Sequence, residues 1–464
     1  MKGFVVAGTG SGVGKTTITA ALLAALRARG LTVQPFKCGP DYIDPAHHTA
    51  LAGRSSYNVD TWMLPDETNR SIFHKAMRKA DIAVVEGAMG LFDGVNGSSD
   101  EGSTAEIAKL LGLPVVLVVD ASNVARSVAA MVKGFAEFDP QLRLLGVILN
   151  GAAGPVHVDL LRQAMAPVGV PLLGWFPKLP ELGLHERHLG LVTAGERTWN
   201  SEQVRLLIRA AEKHVELDRL FATCEVIAGD TARNPQPEPN FPSYHRKRNG
   251  QVHIGIARDR AFSFYYQSSL DALCAAGAEL VEVSPLSDTA LPPALDGLYL
   301  GGGYPEVYVE ELAQNHPFLE SVRKFAKTGH PVYGECGGLM YLADDLQTLD
   351  GRHHAMASVL PLSVAMQDRL EGFGYTEVQV LDDCPIASRG TRLRGHSFHF
   401  SRVTRTGDIR RQYHTRRVLA GTEEFEGYGV DNVLASYIHL SFAASPEAAA
   451  QFTRRCRQAK VAAL

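Results

Sequence analysis

Cysteine is sparse in this 464-residue sequence, and its spacing excludes two common uses of the residue. The six cysteines are scattered, and none forms the C-x-x-C pair of a structural zinc site or a redox dithiol. Long apolar runs are also missing near the start, where GFVVAG is too short for a signal peptide or a membrane span. The net charge of −4 indicates neither a nucleic-acid nor a membrane partner. Together these absences favour a soluble globular protein of the reducing cytoplasm.

The length and the order of the apolar runs predict two α/β domains. Candidate strands of the first half are 3–8, 32–37, 82–87, 114–120, 144–150 and 171–177. They are continuous apolar runs, as expected for strands buried on both faces of a parallel sheet. Helical patterns such as 15–29 and 104–111 separate them. We therefore expect a doubly wound parallel sheet in the first domain.

A change of composition near 231–250 predicts the boundary between the domains. The segment TARNPQPEPNFPSYHRKRNG combines four prolines with polar and basic residues, which is typical of a linker. A second series of strand patterns follows at 252–259, 278–285, 295–306 and 331–336. The predicted organisation is thus a domain over 1–230, a linker over 231–250 and a second α/β domain over 251–464.

The segment AGTGSGVGKTT (7–17) predicts a phosphate-binding loop, because it follows a strand and opens a helix. Small residues let backbone N–H groups approach phosphate oxygens, and the helix N-terminus favours the negative charge. Lys15 would contact the terminal phosphates of a nucleotide, and the Thr16 hydroxyl would bind Mg²⁺. Strict spacing would place a glycine where Thr9 stands. The expected nucleotide-binding residues are Gly10, Gly12, Gly14, Lys15, Thr16 and Thr17.

Two further segments, FKCGPDYIDPAHH (36–48) and VVEGAMGLFDG (84–94), carry carboxylates toward the same edge of the sheet. Asp41 and Asp44 follow the second strand, at the side of an open α/β sheet where ligands bind. Glu86 ends a buried strand, where a carboxylate is costly unless it is paired or bound to a cation such as Mg²⁺. The alternative for these residues and for Asp93 is structural, with aspartates that cap helices and a salt-bridged glutamate.

The segment PVYGECGGLMYL (331–342) predicts a cysteine nucleophile, because it has the Gly-x-Cys-x-Gly pattern of a nucleophile elbow. The sharp turn would expose the Cys336 thiol above the sheet, and the following helix would favour its thiolate. His439, in the strand-like run ASYIHLSF (435–442), is the expected base. Gly302 and Gly303, in LGGGYPE (300–306), would supply the N–H groups of an oxyanion hole.

Other histidines compete with His439 for the role of base. His396 and His399 alternate with apolar residues in GHSFHFS (395–401), and we expect them to be structural or to face the substrate. The pairs at 47–48 and 353–354 lack metal-site spacing, so no metal is assigned to them. A nucleotide site and a cysteine–histidine site together suggest one reaction class. Glutamine would release ammonia, and ATP would activate a carboxylate as an acyl phosphate that ammonia converts to an amide.

The chain resembles the cobyrinic acid a,c-diamide synthase family, including its hydrogenobyrinic acid form, over essentially its full length. The resemblance is carried by GTGSGVGKTT, FKCGPDYIDPAHH, VVEGAMGLFDG, ERHLGLV (186–192), GGGYPE, YGECGGLMYL, GHSFHFS and ASYIHLSF. The first half is also similar to dethiobiotin synthetase, whose phosphate loop has the same extension. The second half is similar to class I glutamine amidotransferases, which implies a flavodoxin-like sheet.

This resemblance implies ATP- and Mg²⁺-dependent amidation of the a and c side chains of a corrin macrocycle, with L-glutamine as the nitrogen donor. By motif position, Cys336 is the nucleophile and His439 its base. Thr16, Asp41 and Glu86 are the implied metal site. Asp41, Asp44 and Asp93 are the implied substrate-positioning residues.

One position departs from the wider class of amidotransferases. These enzymes usually carry a glutamate two residues after the histidine, where this sequence has Ser441. The departure implies a Cys336–His439 dyad whose imidazole is weakly oriented, and hence modest glutaminase turnover. We expect that Ser441→Glu would raise this turnover.

Three other interpretations remain open from the sequence. The macrocycle could be nickel sirohydrochlorin, or it could lack cobalt. The chain could be a non-catalytic nucleotide switch, although such ATPases carry a second lysine where Gly10 stands. It could also be a glutaminase with a vestigial first domain. The oligomeric state is open too, with a homodimer as one candidate.

Overall fold

The computed structural model describes residues 1–178, 199–226 and 251–462. The chain forms two compact units, Met1–Glu238 and Pro239–Leu464. The predicted linker at 231–250 and the segment at 186–192 lie outside the described residues, so the domain limits 1–230 and 251–464 stay predictions.

The first unit is built on a seven-stranded parallel sheet with the order β3-β2-β4-β1-β5-β6-β7. The strands are β1 (Lys2–Gly8), β2 (Val33–Cys38), β3 (Tyr57–Val59), β4 (Ile82–Glu86), β5 (Val115–Asp120), β6 (Leu144–Asn150) and β7 (Leu172–Trp175). The helices are α1 (Lys15–Ala28), α2 (Ile43–Ala52), α3 (Asp66–Met77), α4 (Thr104–Leu111), α5 (Ser127–Phe138), α6 (Pro155–Met165), α7 (Ser201–His214) and α8 (Leu217–Thr223), with a short 3-10 turn at Ala166–Val168.

Both faces of this sheet are buried, which explains the continuous apolar runs of its strands. In β1, Val5 and Ala7 belong to one hydrophobic cluster, whereas Phe4 and Val6 belong to a second cluster. Strands β4 and β5 divide between the same two clusters. Helices therefore cover both faces, and the prediction of a doubly wound parallel sheet is confirmed. The six predicted strands are present with boundary shifts of one or two residues.

The second unit contains a ten-stranded mixed sheet with the order β10-β8-β11-β13-β22-β21-β20-β17-β18-β23. Its parallel part consists of β8 (Val252–Ala257), β10 (Ala278–Val283), β11 (Gly297–Leu300), β13 (Val332–Glu335) and β22 (Val433–Ser436). Numbered along the chain, these five strands follow the flavodoxin-like order 2-1-3-4-5. The predicted flavodoxin-like α/β unit is therefore confirmed for this part of the sheet.

An antiparallel extension of that sheet was not predicted from the sequence. It consists of β17 (Gly372–Val380), β18 (Arg392–His399), β20 (Arg410–Arg417), β21 (Glu423–Val430) and β23 (His439–Leu440). Buried and more accessible residues alternate along β17, as expected where one face of an antiparallel sheet packs on the core. His439 follows the parallel strand β22 by three residues, and the pairing of β23 with β18 joins it to this extension.

Smaller elements complete the described part of the second unit. The remaining strands are β9 (Phe262–Phe264), β12 (Gly302–Gly303), β14 (Asp345–Gln347), β15 (His353–Ala355), β16 (Leu362–Met366) and β19 (Ser401–Thr406). The helices are α9 (Gln267–Ala275), α10 (Val309–Gln314), α11 (His316–Lys327), α12 (Gly337–Leu342) and α13 (Pro446–Ala462). Across the described ranges of both units, no helix combines the length and apolar character needed to cross a membrane.

Candidate active sites

The predicted phosphate loop joins β1 to α1 and surrounds the Lys15 side chain. Lys15 Nζ donates to the carbonyl of Gly10 at 2.9 Å and to that of Met89 at 2.5 Å. Burial and the nearby Lys37 ammonium lower the pKa of Lys15, while Glu86 opposes this effect. A bound phosphate would supply the negative charge that favours the protonated amine. The loop thus places a buried cation where terminal phosphates are expected.

Only glycine fits at position 14, at the last turn of this loop, because of its backbone conformation and because Asn150 lies close to it. Its φ of 98° is in the left-handed region, and an added Cβ would lie 2.1 Å from Nδ2 of Asn150. Asn150, at the end of β6, donates from that nitrogen to the carbonyl of Val13 at 3.0 Å. A residue at the end of β6 therefore fixes the shape of the loop, a contact that the sequence pattern did not indicate.

Glu86 is fully buried at the end of β4, and charged and polar groups surround its carboxylate. Thr16 Oγ1 donates to Oε1 at 2.7 Å, and Lys37 Nζ donates to the same oxygen at 3.0 Å. His48 Nε2 lies 2.7 Å from Oε2. Burial would raise the pKa of Glu86, but Lys37, His48 and Thr16 outweigh it and hold this pKa well below the usual range. The carboxylate therefore remains ionised.

Lys37 is the centre of a group of three carboxylates. Its Nζ lies 2.7 Å from Asp44, 3.0 Å from Glu86 and 3.8 Å from Asp41. Burial alone would lower the pKa of Lys37, but the three carboxylates raise it well above the usual value. Burial and the carboxylates of Asp41 and Glu86 raise the pKa of Asp44. Three carboxylates thus share one buried ammonium group.

Part of this geometry matches the structural alternative, in which the aspartates cap helices and the glutamate is salt-bridged. Asp41 Oδ1 accepts the backbone N–H groups of Ile43 and Asp44 at the start of α2, which is a capping arrangement. Exposed Asp93 accepts the backbone N–H of Gly90 at 2.7 Å within its own loop. Glu86 is salt-bridged, as the alternative proposed. None of these contacts uses all the oxygens of Asp41 or Asp93, so both can still contact a ligand.

In the second unit, Cys336 occupies a strained turn between β13 and α12. Its φ of 47° and ψ of −99° are uncommon for a residue with a side chain. Its backbone N–H donates to the carbonyl of Ser436 at 2.7 Å, and its own carbonyl accepts the N–H of Met340 at 3.1 Å. Such strain is typical of functional positions. The predicted elbow geometry is therefore present, with the thiol next to His439.

His439 is buried between Cys336 and the carboxylate of Glu335. Its Nδ1 lies 3.4 Å from Oε2 of Glu335. Burial would lower the pKa of His439, but the hydrogen bonds and charges of Cys336 and Glu335 outweigh it and raise this pKa to about 9. The imidazolium, which is the counterpart of a thiolate, is thus favoured at neutral pH. A carboxylate that the sequence analysis did not consider therefore lies beside this imidazole, and it comes from β13.

The two glycines predicted for the oxyanion hole lie beside this pair. A Cβ on Gly302 would be 2.5 Å from Cε1 of His439, so only glycine permits this approach. A Cβ on Gly337 would be 3.1 Å from the amide nitrogen of Gly303. The residue after a nucleophile commonly donates its own N–H to the oxyanion. Gly337 is therefore a further candidate for this role, and the sequence analysis missed it.

The competing histidines are positioned differently from His439. His399 Nδ1 donates to the carbonyl of Ser401 at 2.7 Å, and its ring stacks on Tyr437 with centroids 3.8 Å apart. Burial lowers the pKa of His399 to about 4, so its imidazole is neutral. His396 lies opposite His439 on β18, with its ring against Phe373 and Tyr375. This geometry favours His439 as the base.

Several candidate site residues were missed by the sequence analysis. Lys37 and Glu335 end apolar strands, which is the signal that identified Glu86. His48 stands in a segment that was considered, but only for metal-site spacing. Within the described residues no group of three or more histidine, cysteine, aspartate or glutamate side chains has the geometry of a metal site by itself.

A nucleotide-type phosphate loop and a cysteine–histidine elbow in one chain define the class of glutamine-dependent amidoligases. Family models agree with this assignment. Residues 4–190 match the CobQ/CobB/MinD/ParA nucleotide binding domain, and residues 253–447 match the CobB/CobQ-like glutamine amidotransferase domain.

Relatives that match almost the whole chain define the family more narrowly. A cobyrinate a,c-diamide synthase of Syntrophotalea carbinolica is 43% identical over 458 residues, covering 98% of this chain and 98% of that protein. Cobyrinate a,c-diamide synthases of Salmonella typhimurium and Dehalococcoides mccartyi are 42% and 40% identical, over 96% and 97% of both chains respectively. This chain belongs to the cobyrinate a,c-diamide synthase family.

Proposed function

We propose that this protein uses ATP and glutamine to amidate the a and c carboxylates of cobyrinic acid or hydrogenobyrinic acid. The observation that carries the proposal is the strained Cys336 elbow beside His439, in a chain that also has a phosphate loop around Lys15. The relatives named cobyrinate a,c-diamide synthase support the choice of substrate. In this account the first unit is the amidoligase domain and the second is the glutaminase domain.

The glutaminase step begins with a thiolate on Cys336. Its sulfur attacks the side-chain carbonyl carbon of glutamine, and the N–H groups of Gly302, Gly303 and Gly337 stabilise the oxyanion. The His439 imidazolium gives its proton to the departing nitrogen, and the C–N bond breaks. The nitrogen leaves as ammonia, and the acyl group stays on Cys336 as a thioester. His439 then takes a proton from water, whose attack releases glutamate and the free thiol. The raised pKa of His439 suits the proton donation.

The amidoligase step begins at the phosphate loop. Backbone N–H groups around Gly10, Gly12 and Gly14 would contact the phosphates of ATP, with Thr17 beside them. Lys15 would stabilise the terminal phosphoryl group while a substrate carboxylate oxygen attacks it, forming an acyl phosphate and ADP. Ammonia then displaces phosphate and forms the amide. Each amide consumes one ATP and one glutamine.

The carboxylate cluster of the first unit fits a bound Mg²⁺. Thr16 and Glu86 are hydrogen-bonded to each other, and Asp41 lies 3.8 Å from Lys37, which also contacts Glu86. All three residues offer oxygen ligands. Mg²⁺ at this position would neutralise phosphate charge. Asp44 and Asp93 would orient the macrocycle. Lys37, whose Nζ lies 2.7 Å from Oδ2 of Asp44, would be the cation that binds a substrate carboxylate.

Thr16→Val is expected to raise the Mg²⁺ concentration needed for half-maximal amidation by at least about 10-fold, because it removes an oxygen ligand and the hydroxyl on Glu86. The matched control is Thr16→Ser, which keeps the hydroxyl and should stay close to wild type. The measurement is the initial rate at saturating ATP and glutamine over a Mg²⁺ titration. Equal Mg²⁺ dependence in the Val variant and wild type would contradict the metal assignment.

The choice of macrocycle is tested with a substrate panel. Purified protein is incubated with ATP, glutamine and one of cobyrinic acid, hydrogenobyrinic acid or nickel sirohydrochlorin, and products are identified by mass spectrometry. We expect two successive amidations of a corrin ring and little conversion of nickel sirohydrochlorin. Preferential amidation of the nickel compound would replace the substrate in this proposal, and ATP hydrolysis without any amidation would contradict the ligase reaction itself.

A further inference from the structure

Glu335 is a buried carboxylate whose contacts go beyond packing of the sheet. Its Oε1 accepts the hydroxyl of Tyr333 at 2.7 Å and the backbone N–H of Leu440 at 3.0 Å. Its Oε2 accepts the hydroxyl of Tyr299 at 2.9 Å and lies 3.4 Å from Nδ1 of His439. The side chains of Glu335 and His439 are each only 2% exposed. Every polar neighbour of this carboxylate is therefore a donor.

These contacts fix the position of the carboxylate. Two tyrosine hydroxyls and one backbone N–H hold its oxygens, so the side chain cannot turn away from the imidazole without losing buried hydrogen bonds. The imidazole therefore has a fixed negative neighbour at Nδ1, which leaves Nε2 for the thiol of Cys336.

The position usually occupied by the third residue of this site does not provide such a group. Ser441 stands two residues after His439, and its buried hydroxyl has no hydrogen-bond partner within the described residues. Glu335 instead reaches the imidazole from the strand that precedes the nucleophile. The same tight turn therefore positions the thiol and the carboxylate on either side of one histidine.

We propose that Glu335 is the positioning residue of the glutaminase site and replaces the carboxylate that is absent at position 441. This inference rests on the glutaminase activity proposed above. Glu335 holds the imidazole in the tautomer with a proton on Nδ1 and stabilises the imidazolium that forms when the thiol is deprotonated. It does not touch glutamine, and its own proton content does not change during the reaction.

The proposal has a consequence for the pH dependence of glutamine hydrolysis. His439 must be protonated to release ammonia, so activity should fall as pH rises through its pKa of about 9. The Glu335 charge is one of the factors that raise this pKa. Its removal should therefore move to lower pH the alkaline limb of the pH–activity profile, which is the fall in activity at high pH. The other titratable groups that face His439 are Cys336, His396 and His399, and they are unchanged in the variant.

The test is glutamine hydrolysis by full-length Glu335→Gln, with kcat and KM measured across pH. We expect kcat to fall by about 10²- to 10⁴-fold with little change in KM, as when a charged orienting group is made neutral. The alkaline limb should move to lower pH. Glu335→Asp keeps the charge, so its limb should stay near the wild-type position even if its kcat is reduced.

Glu426→Gln is the matched control for loss of a buried carboxylate in this unit. Glu426 accepts the Ser436 hydroxyl at 2.6 Å and the Tyr437 N–H at 2.7 Å, so its two oxygens are held by residues other than His439. This variant should leave the alkaline limb where it is in wild type. The inference would be overturned if Glu335→Gln kept the wild-type kcat and the wild-type position of the alkaline limb. It would also be overturned if the alkaline limb moved equally in Glu335→Gln and Glu335→Asp.

The failure of this inference can be distinguished from failure of the proposed function. If wild-type protein hydrolyses glutamine and loses this activity on alkylation of Cys336, the glutaminase function stands whatever Glu335→Gln shows. If wild-type protein neither hydrolyses glutamine nor reacts at Cys336 with a glutamine-like diazoketone, the proposed function fails first.

Discussion

Cys336→Ser is expected to abolish amidation with glutamine while amidation with ammonium salts continues near the wild-type rate. The serine hydroxyl is not ionised by an imidazole in the way a thiol is, so no thioester forms. We expect the glutamine-dependent rate to fall by at least about 10³-fold. The ammonia-dependent rate should persist because acyl phosphate formation uses the phosphate loop and the carboxylate cluster of the first unit and does not involve Cys336. The measurement compares amide formation with the two nitrogen sources under otherwise equal conditions.

Cys274→Ser is the matched control, since it removes a half-buried thiol of the same unit that lies on α9. It should keep both activities. A Cys336→Ser variant that still uses glutamine would remove the nucleophile from this account. One that loses the ammonia reaction as well would show that the elbow has a structural role in the ligase step.

Lys15→Gln is expected to abolish amidation with either nitrogen source. Lys15 is the buried ammonium of the phosphate loop, and its loss would remove a full positive charge that stabilises the transferred phosphoryl group. We expect both rates to fall by at least about 10²- to 10³-fold. Alkylation of Cys336 by the diazoketone should remain, because the elbow has its own base in His439. The two measurements are amide formation and the extent of labelling at Cys336.

Lys133→Gln provides the control for loss of a lysine in the same unit. Its side chain is 63% exposed and pairs with Glu137 at 3.7 Å. This exposed pair contributes little to stability, so the variant should behave as wild type. Retention of ammonia-dependent amidation by Lys15→Gln would contradict the assignment of the ATP site.

The sequence predicted the parts of the fold that depend on local patterns. The strand before Lys15 and the helix after it form a phosphate loop because glycine spacing and the apolar run act within a few residues. The sheet of the first unit was predicted for the same reason, since strands buried on both faces are apolar throughout. Strand β3 was missed because three residues show no periodicity.

The antiparallel extension of the second unit was missed for a different reason. Buried and accessible residues alternate clearly along β17, but the sequence analysis noted such alternation only at 395–401. Pairing between strands distant in sequence then decides where His439 lies. The contact between β18 and β23 joins residues about 40 positions apart, which no local pattern indicates.

The candidate site residues were likewise predicted only where a local motif contains them. Cys336 and Lys15 stand in motifs whose spacing is short, and the structure places both in the expected turns. Lys37 and Glu335 were missed although each ends a buried strand, as Glu86 does. A buried charge at a strand end indicates that a partner exists, but which partner depends on tertiary contacts. For Glu335 that partner is a histidine more than 100 residues further along the chain.

The central claim is that one polypeptide takes nitrogen from glutamine at Cys336 and adds it to a carboxylate that ATP has activated at Lys15. The most direct measurement follows the nitrogen: wild-type protein is given ATP, the corrin substrate, glutamine labelled with ¹⁵N in its side-chain amide, and limiting unlabelled ammonium. The account predicts ¹⁵N in both new amides with one ATP cleaved to ADP for each, and no label in the product of Cys336→Ser. Amides without ¹⁵N from the wild-type protein, or labelled amides formed without ATP, would contradict it.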